Sequence, residues 1–155
     1  IGSRVSHGGI AGNLAAAARR RTALPDYRLG PEHAFPAAVD DAVAAYEGLR
    51  EDHPPERLAI AGDSAGGGLT LATLLALRER SLPLPATAIC LSPWADLRCT
   101  NQSMRSRADV DPICRVAKLR HMAELYLNGT DPATPLASPA LADLSDRPTL
   151  LLQVG

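Results

Sequence analysis

At 155 residues the chain is long enough for one domain with a real core and too short for two of ordinary size. A formal net charge of −1 gives no electrostatic case for nucleic acid or an anionic membrane surface as a partner. The 46% apolar share is ordinary for a globular protein, and no apolar run approaches the length of a membrane span.

Fifteen of the sixteen basic residues are arginine, with Lys118 the exception, which reads as coding bias. The three cysteines, Cys90, Cys99 and Cys114, form no C-x-x-C pair, and an odd number cannot all bridge internally. They read as reduced thiols of a cytoplasmic protein. The chain opens at Ile1 without Met or a signal-like apolar core, so we expect it to be a piece of something longer.

From the N-terminus, Leu14 to Arg21 favour a helix and Pro25 to Pro31 form a turn-rich connector. Pro36 stands at a plausible first helical position, and Val39, Val43, Tyr46 and Leu49 then recur at helical spacing. His53-Pro54-Pro55 stops that helix, because proline lacks the N–H donor and clashes with the preceding turn. The apolar run Leu58–Ala61 predicts a strand, and Leu69 to Arg80 a helix.

Ala86 to Leu91 predicts a second strand, apolar on both faces. Val116, Leu119, Met122, Ala123 and Tyr126 mark a helix that Asn128-Gly129 ends. Leu150 to Val154 predicts a third buried strand. Short apolar strands alternating with amphipathic helices argue for an α/β fold, a parallel sheet covered on both faces.

The chemistry concentrates in Gly62-Asp63-Ser64-Ala65-Gly66, a G-x-S-x-G pattern between predicted strand and predicted helix. In that context the serine sits at the tip of a sharp turn, its hydroxyl exposed and a helix N-terminus behind it. Gly62 and Gly66 are expected there because a Cβ would collide with the neighbouring element. His7-Gly8-Gly9 supplies a second element: glycine amides that substrate can approach closely suit an oxyanion hole. HGG upstream and G-x-S-x-G downstream is a pairing described for lipases and esterases.

Longer stretches carry a resemblance: Asp26-Tyr27-Arg28-Leu29-Gly30-Pro31-Glu32-His33, Phe35 to Asp41, Gly62 to Gly67, Leu91-Ser92-Pro93-Trp94 and Pro135 to Pro139. The chain resembles the hormone-sensitive-lipase-like branch of the α/β hydrolases, of the bacterial esterase and lactone hydrolase type. The resemblance implies one partial α/β-hydrolase domain over residues 1–155, mostly parallel sheet flanked by helices, without the cap and the C-terminal part. It also implies hydrolysis of short-to-medium acyl esters by a serine nucleophile, with no metal or cofactor. Ser64 matches the nucleophile, and Gly8, Gly9 and Ala65 match the oxyanion donors. His7 would hold the loop through hydrogen bonds. The expected partner is a small-molecule ester, with a homodimer as the assembly to consider.

The triad is incomplete in this reading. In such folds the acid and the histidine follow the serine, and His121 is the only later histidine, inside the predicted Val116–Leu127 helix. Asp109, Asp111, Asp131, Asp143 and Asp146 read as loop or cap residues, and His33 and His53 as turn or surface residues. The resemblance places acid and base beyond Gly155. His7 and Asp26 stand closer together than in relatives, which suggests a sequence that joins parts of a longer protein. Alternatives are a lactone hydrolase of the same branch and a non-catalytic ligand-binding protein on the same fold. A phosphate-binding module lacks the Lys-Ser/Thr pair that should follow its glycines.

Overall fold

The computed structural model describes residues 2–154. Its elements are α1 (Arg4–Ala18), α2 (Ala37–Asp52), β1 (Ala59–Asp63), α3 (Ala65–Glu79), β2 (Thr87–Leu91), α4 (Gln102–Ser106), α5 (Val116–Leu127) and β3 (Thr149–Gln153). Single turns of 3₁₀ helix cover Pro55–Arg57 and Pro139–Leu141. None of the described helices is long and apolar enough to cross a membrane.

The three strands form a parallel sheet in the order β1-β2-β3. Its register sets Gly62 opposite Cys90 and Cys90 opposite Leu152. Ala88 and Cys90 are fully buried, and α3 packs on both β1 and β2. Behind α3 lies α2, whose Val39, Val43 and Tyr46 join Ala72, Ala76 and Leu77 in the main core. Val39, Val43 and Tyr46 are three of the four positions that the helical spacing selected on α2; the fourth, Leu49, is exposed.

The chain departs from the pattern at its two ends. β3 was expected to be buried, yet Leu151 and Leu152 are each 55% exposed. β2 pairs with one of its edges, and of the five strand residues only Leu150 is half-buried. The first helix begins at Arg4, ten positions ahead of the expected start at Leu14. Ser3 explains this: its side chain accepts the Ser6 N–H, and Ser6 reaches back to the Ser3 N–H, a complete capping box.

Candidate active site

Gly62, one residue before the end of β1, lies against the first turn of α3, where a Cβ would overlap the Gly66 carbonyl. Gly68 lets α3 approach the loop after β2, and a Cβ there would overlap the Trp94 carbonyl. Gly66 behaves otherwise than expected: the space around it is open. The close approach is made by Gly62, Gly67 and Gly68; a Cβ on Gly67 would lie 2.9 Å from the Pro93 Cα.

Between strand and helix, Ser64 has φ 54° and ψ −114°, a strained conformation for a residue with a Cβ. Its backbone is locked on both sides. The Ser64 N–H donates to the Leu91 carbonyl at 2.8 Å, while its own carbonyl accepts from Gly68 at 3.1 Å and Trp94 at 2.8 Å. A serine that caps a helix has extended backbone and lends its hydroxyl to the first turn. Ser64 has neither the backbone nor the bond. Its side chain is exposed, and among the described residues its hydroxyl makes no hydrogen bond. The N–H of Ala65, first residue of α3, has no acceptor within the helix. The site therefore offers a free hydroxyl beside a free amide at a positive helix end.

The loop after β2 is itself pinned. Ser138, wholly buried, receives the Leu97 N–H at 2.8 Å and donates to the Pro132 carbonyl at 2.6 Å. Arg98 makes a two-point contact with Asp96 at 3.0 and 2.9 Å, and that hydrogen bonding holds the Asp96 carboxyl below the usual range. Trp94, which fastens the Ser64 carbonyl, thus rests on a rigid support.

Beside the turn lies a cavity of about 150 Å³, largely apolar, bounded by Ala65, Gly68 and Ala72 of α3. Tyr27, Trp94, Leu97, Met122 and Tyr126 also line it. Tyr126 packs edge-on against Phe35 at 5.8 Å, and burial pushes its phenol up to about 12. Arg28 anchors the Tyr27 segment to α2 through a two-point contact with Asp41. The Arg28 side-chain bond, with its N–H, holds the Asp41 carboxyl low.

The reading of Gly8 and Gly9 as oxyanion donors needs correction. His7, Gly8 and Gly9 lie within α1, not in a loop. As interior helical residues, Gly8 and Gly9 have their N–H groups directed along the axis to carbonyls one turn earlier, unavailable to a ligand. Both are exposed, with open space around them. The short interval from His7 to Asp26 is occupied by the rest of this helix and a connector. His7 does hold contacts, to Ser6 and to Asp63.

The other candidates take local roles. Asp111 receives the N–H groups of Ile113 and Cys114, Asp131 that of Ala133, and Asp143 that of Ser145. His121 is exposed on α5. Cys90 and Cys99 are buried, Cys114 is exposed, and all three are free thiols. Burial pushes the Cys90 thiol up to about 11. The cavity wall was not legible as such, although Tyr27 and Trp94 both fall in stretches that carry the resemblance.

A parallel sheet flanked by helices, with a serine at a strand-to-helix turn, is the architecture of the α/β hydrolases. The chain belongs to that family: residues 1–155 match the alpha/beta hydrolase fold family, and the likeness lies in its hormone-sensitive-lipase-like branch. It is 52% identical to an acetyl-hydrolase of Streptomyces hygroscopicus, covering 100% of this chain and 52% of that protein. An esterase of the bacterial hormone-sensitive lipase family superposes with a TM-score of 0.97 at 48% identity, covering 100% of this chain and 52% of that one. The esterase EstE5, in crystals soaked with p-nitrophenyl butyrate, gives 0.94 at 48% identity, covering 98% and 51%. The chain therefore spans about half the length of the relatives it matches.

Proposed function

We propose that the protein is a serine carboxylic ester hydrolase acting on short-to-medium acyl esters, with Ser64 as nucleophile. One observation carries the reading: Ser64 is held at φ 54° at the tip of the turn, its hydroxyl withdrawn from helix capping and presented outward. Such strain persists where the surroundings enforce it and commonly marks a functional position.

In the proposed step, Ser64 Oγ attacks the ester carbonyl and forms a bond to its carbon while a general base accepts the hydroxyl proton. The carbonyl oxygen becomes an oxyanion, and the Ala65 N–H is placed to receive it. Collapse expels the alcohol, and water then releases the acid from the acyl-enzyme. The apolar cavity bordering Ala65 takes the acyl chain. At about 150 Å³ it is smaller than the ~300 Å³ at which drug-sized sites begin, which favours a small acyl group. A histidine base and its orienting acid are sought in the length of the relatives that this chain does not span. At least one oxyanion donor besides Ala65 is sought there too, since Gly8 and Gly9 are spent in α1.

The test is release of p-nitrophenol from an acyl series by the protein expressed from its complete reading frame. Ser64→Ala should lower turnover by a factor on the order of 10⁴ or more. An organophosphate should label Ser64. Unchanged turnover in Ser64→Ala would defeat the assignment, whereas ester binding without turnover in the parent would point to the ligand-binding alternative. Faster opening of cyclic than of linear esters would favour the lactone hydrolase reading.

A further inference from the structure

α1 buries no residue, and only His7, Ala11 and Ala15, spaced four apart, are half-buried along it. One of these side chains reaches the turn that carries Ser64. His7 Nε2 lies 3.5 Å from Oδ2 of Asp63, the residue directly before the serine, with the two side chains 34% and 35% exposed. The imidazole is held on its other flanks as well. Ser6 Oγ stands 2.8 Å from Nδ1, and the ring sits so close over Gly2 that a Cβ there would lie 2.5 Å from Cε1. The Ser6 hydroxyl has one proton to give, to the Ser3 carbonyl at 3.1 Å or to Nδ1 at 2.8 Å; when it turns to Nδ1, the ring proton of the neutral imidazole sits on Nε2, facing the carboxylate.

The placement matters because of what β1 lacks. Among the described residues β1 has a strand neighbour on one side only. The backbone bonds from Leu91 and Trp94 hold Ser64 from the β2 side. His7 meets Asp63 from α1, an element outside the sheet. We infer that His7 is a positioning residue: through Asp63 it fixes the start of the strained turn and so keeps the Ser64 hydroxyl aimed. This rests on the esterase reading of Ser64. The group acted on is the geometry of the nucleophile, so the expected effect falls on kcat and leaves KM nearly unmoved.

The experiment compares His7→Phe, which keeps a ring over Gly2 but removes the donor, with His7→Gln, whose amide N–H can replace Nε2. In the protein expressed from its complete reading frame, His7→Phe should lower kcat on p-nitrophenyl butyrate roughly tenfold, with KM within about twofold. His7→Gln should restore most of that loss. Parent-like kcat in His7→Phe, or equal losses in both variants, would overturn the inference. If His7→Phe does not fold, Asp63→Ala, which removes the acceptor, takes its place. It should show a similar fall in kcat at constant KM, and an unchanged kcat would overturn the role. No turnover in the parent would bring down the esterase reading and this inference together, whereas an active parent indifferent to these substitutions defeats the positioning role alone.

Discussion

α1 and α3 are both 15 residues long and both rich in alanine and glycine, yet they are stabilised in different ways. α3 buries ten residues, from Gly67 to Leu77, and has no side-chain cap at its start. α1 buries none and relies on a full capping box at Ser3 and a left-handed Arg19 at its end. Burial fixes one helix and local hydrogen bonding the other. The difference bears on chemistry. Because α3 is anchored by packing, the serine at its N-terminus need not cap it, and the hydroxyl of Ser64 is left free. Because α1 is anchored by its cap, its glycines have no steric task and no free amide to offer.

The contrast is sharpest in the glycines, so the largest effect should come from Gly62→Ala. Its Cβ would overlap backbone, the Gly66 carbonyl, which cannot turn aside as a flexible side chain can. We expect a loss above about 4 kcal/mol, read as failure to recover folded protein or as a collapse of the urea midpoint. A Gly62→Ala protein of parent stability would show that β1 and α3 are not truly in contact.

Leu77→Ala tests the packing half of the comparison. Leu77 is 0% exposed in the core shared with α2, and the substitution should cost about 3 kcal/mol by urea denaturation. The same change at Leu14 of α1, 36% exposed, should cost far less. Equal losses would mean that α1 is buried in the working protein.

How much of this was legible follows the same division. The strand–turn–helix around Ser64 and the helix Val116–Leu127 were readable because their patterns are local: a G-x-S-x-G turn, a 3.6-residue stripe, an Asn-Gly stop. The helix through Gly8 and Gly9 was misread because two adjacent glycines disfavour a helix and imitate an oxyanion loop. The signal for it was present in Ser3 and Ser6, spaced as a capping box but with serine where Glu or Gln is usual. The cavity could not be read at all. Tyr27, Ala65, Trp94 and Tyr126 are scattered along the chain, and only the parallel register and the α3 packing bring them together.

A smaller effect separates the two regions by pH. Asp41 of α2 is held low by its hydrogen bonds from Arg28, with opposing desolvation outweighed. A carboxyl with a depressed folded-state value contributes stability that is complete above its unfolded value and is lost as pH falls through the folded one. The parent should therefore lose stability in acid below about pH 4, the ordinary carboxylate range. Asp41→Asn should be less stable at neutral pH and show a shallower acid decline, followed by thermal unfolding between pH 2 and 7. An identical acid decline in the variant would mean that the Arg28–Asp41 contact contributes nothing to stability.

The smallest expected effect decides most about the site. Gly8 lies in the interior of α1, with nothing within 4 Å of where a Cβ would stand. Replacing a helical glycine by alanine removes backbone freedom from the unfolded chain, so Gly8→Ala should stabilise by about 0.5–1 kcal/mol. Ester turnover should not change, since an amide within the helix is not available to a substrate. If Gly8 instead formed an oxyanion loop, the added methyl would crowd the carbonyl oxygen and turnover would fall by about 10²-fold or more. The two arrangements thus predict opposite signs from one substitution. A small gain in stability at constant activity would leave Ala65 as the one oxyanion donor proposed within these residues, with its partner sought outside them.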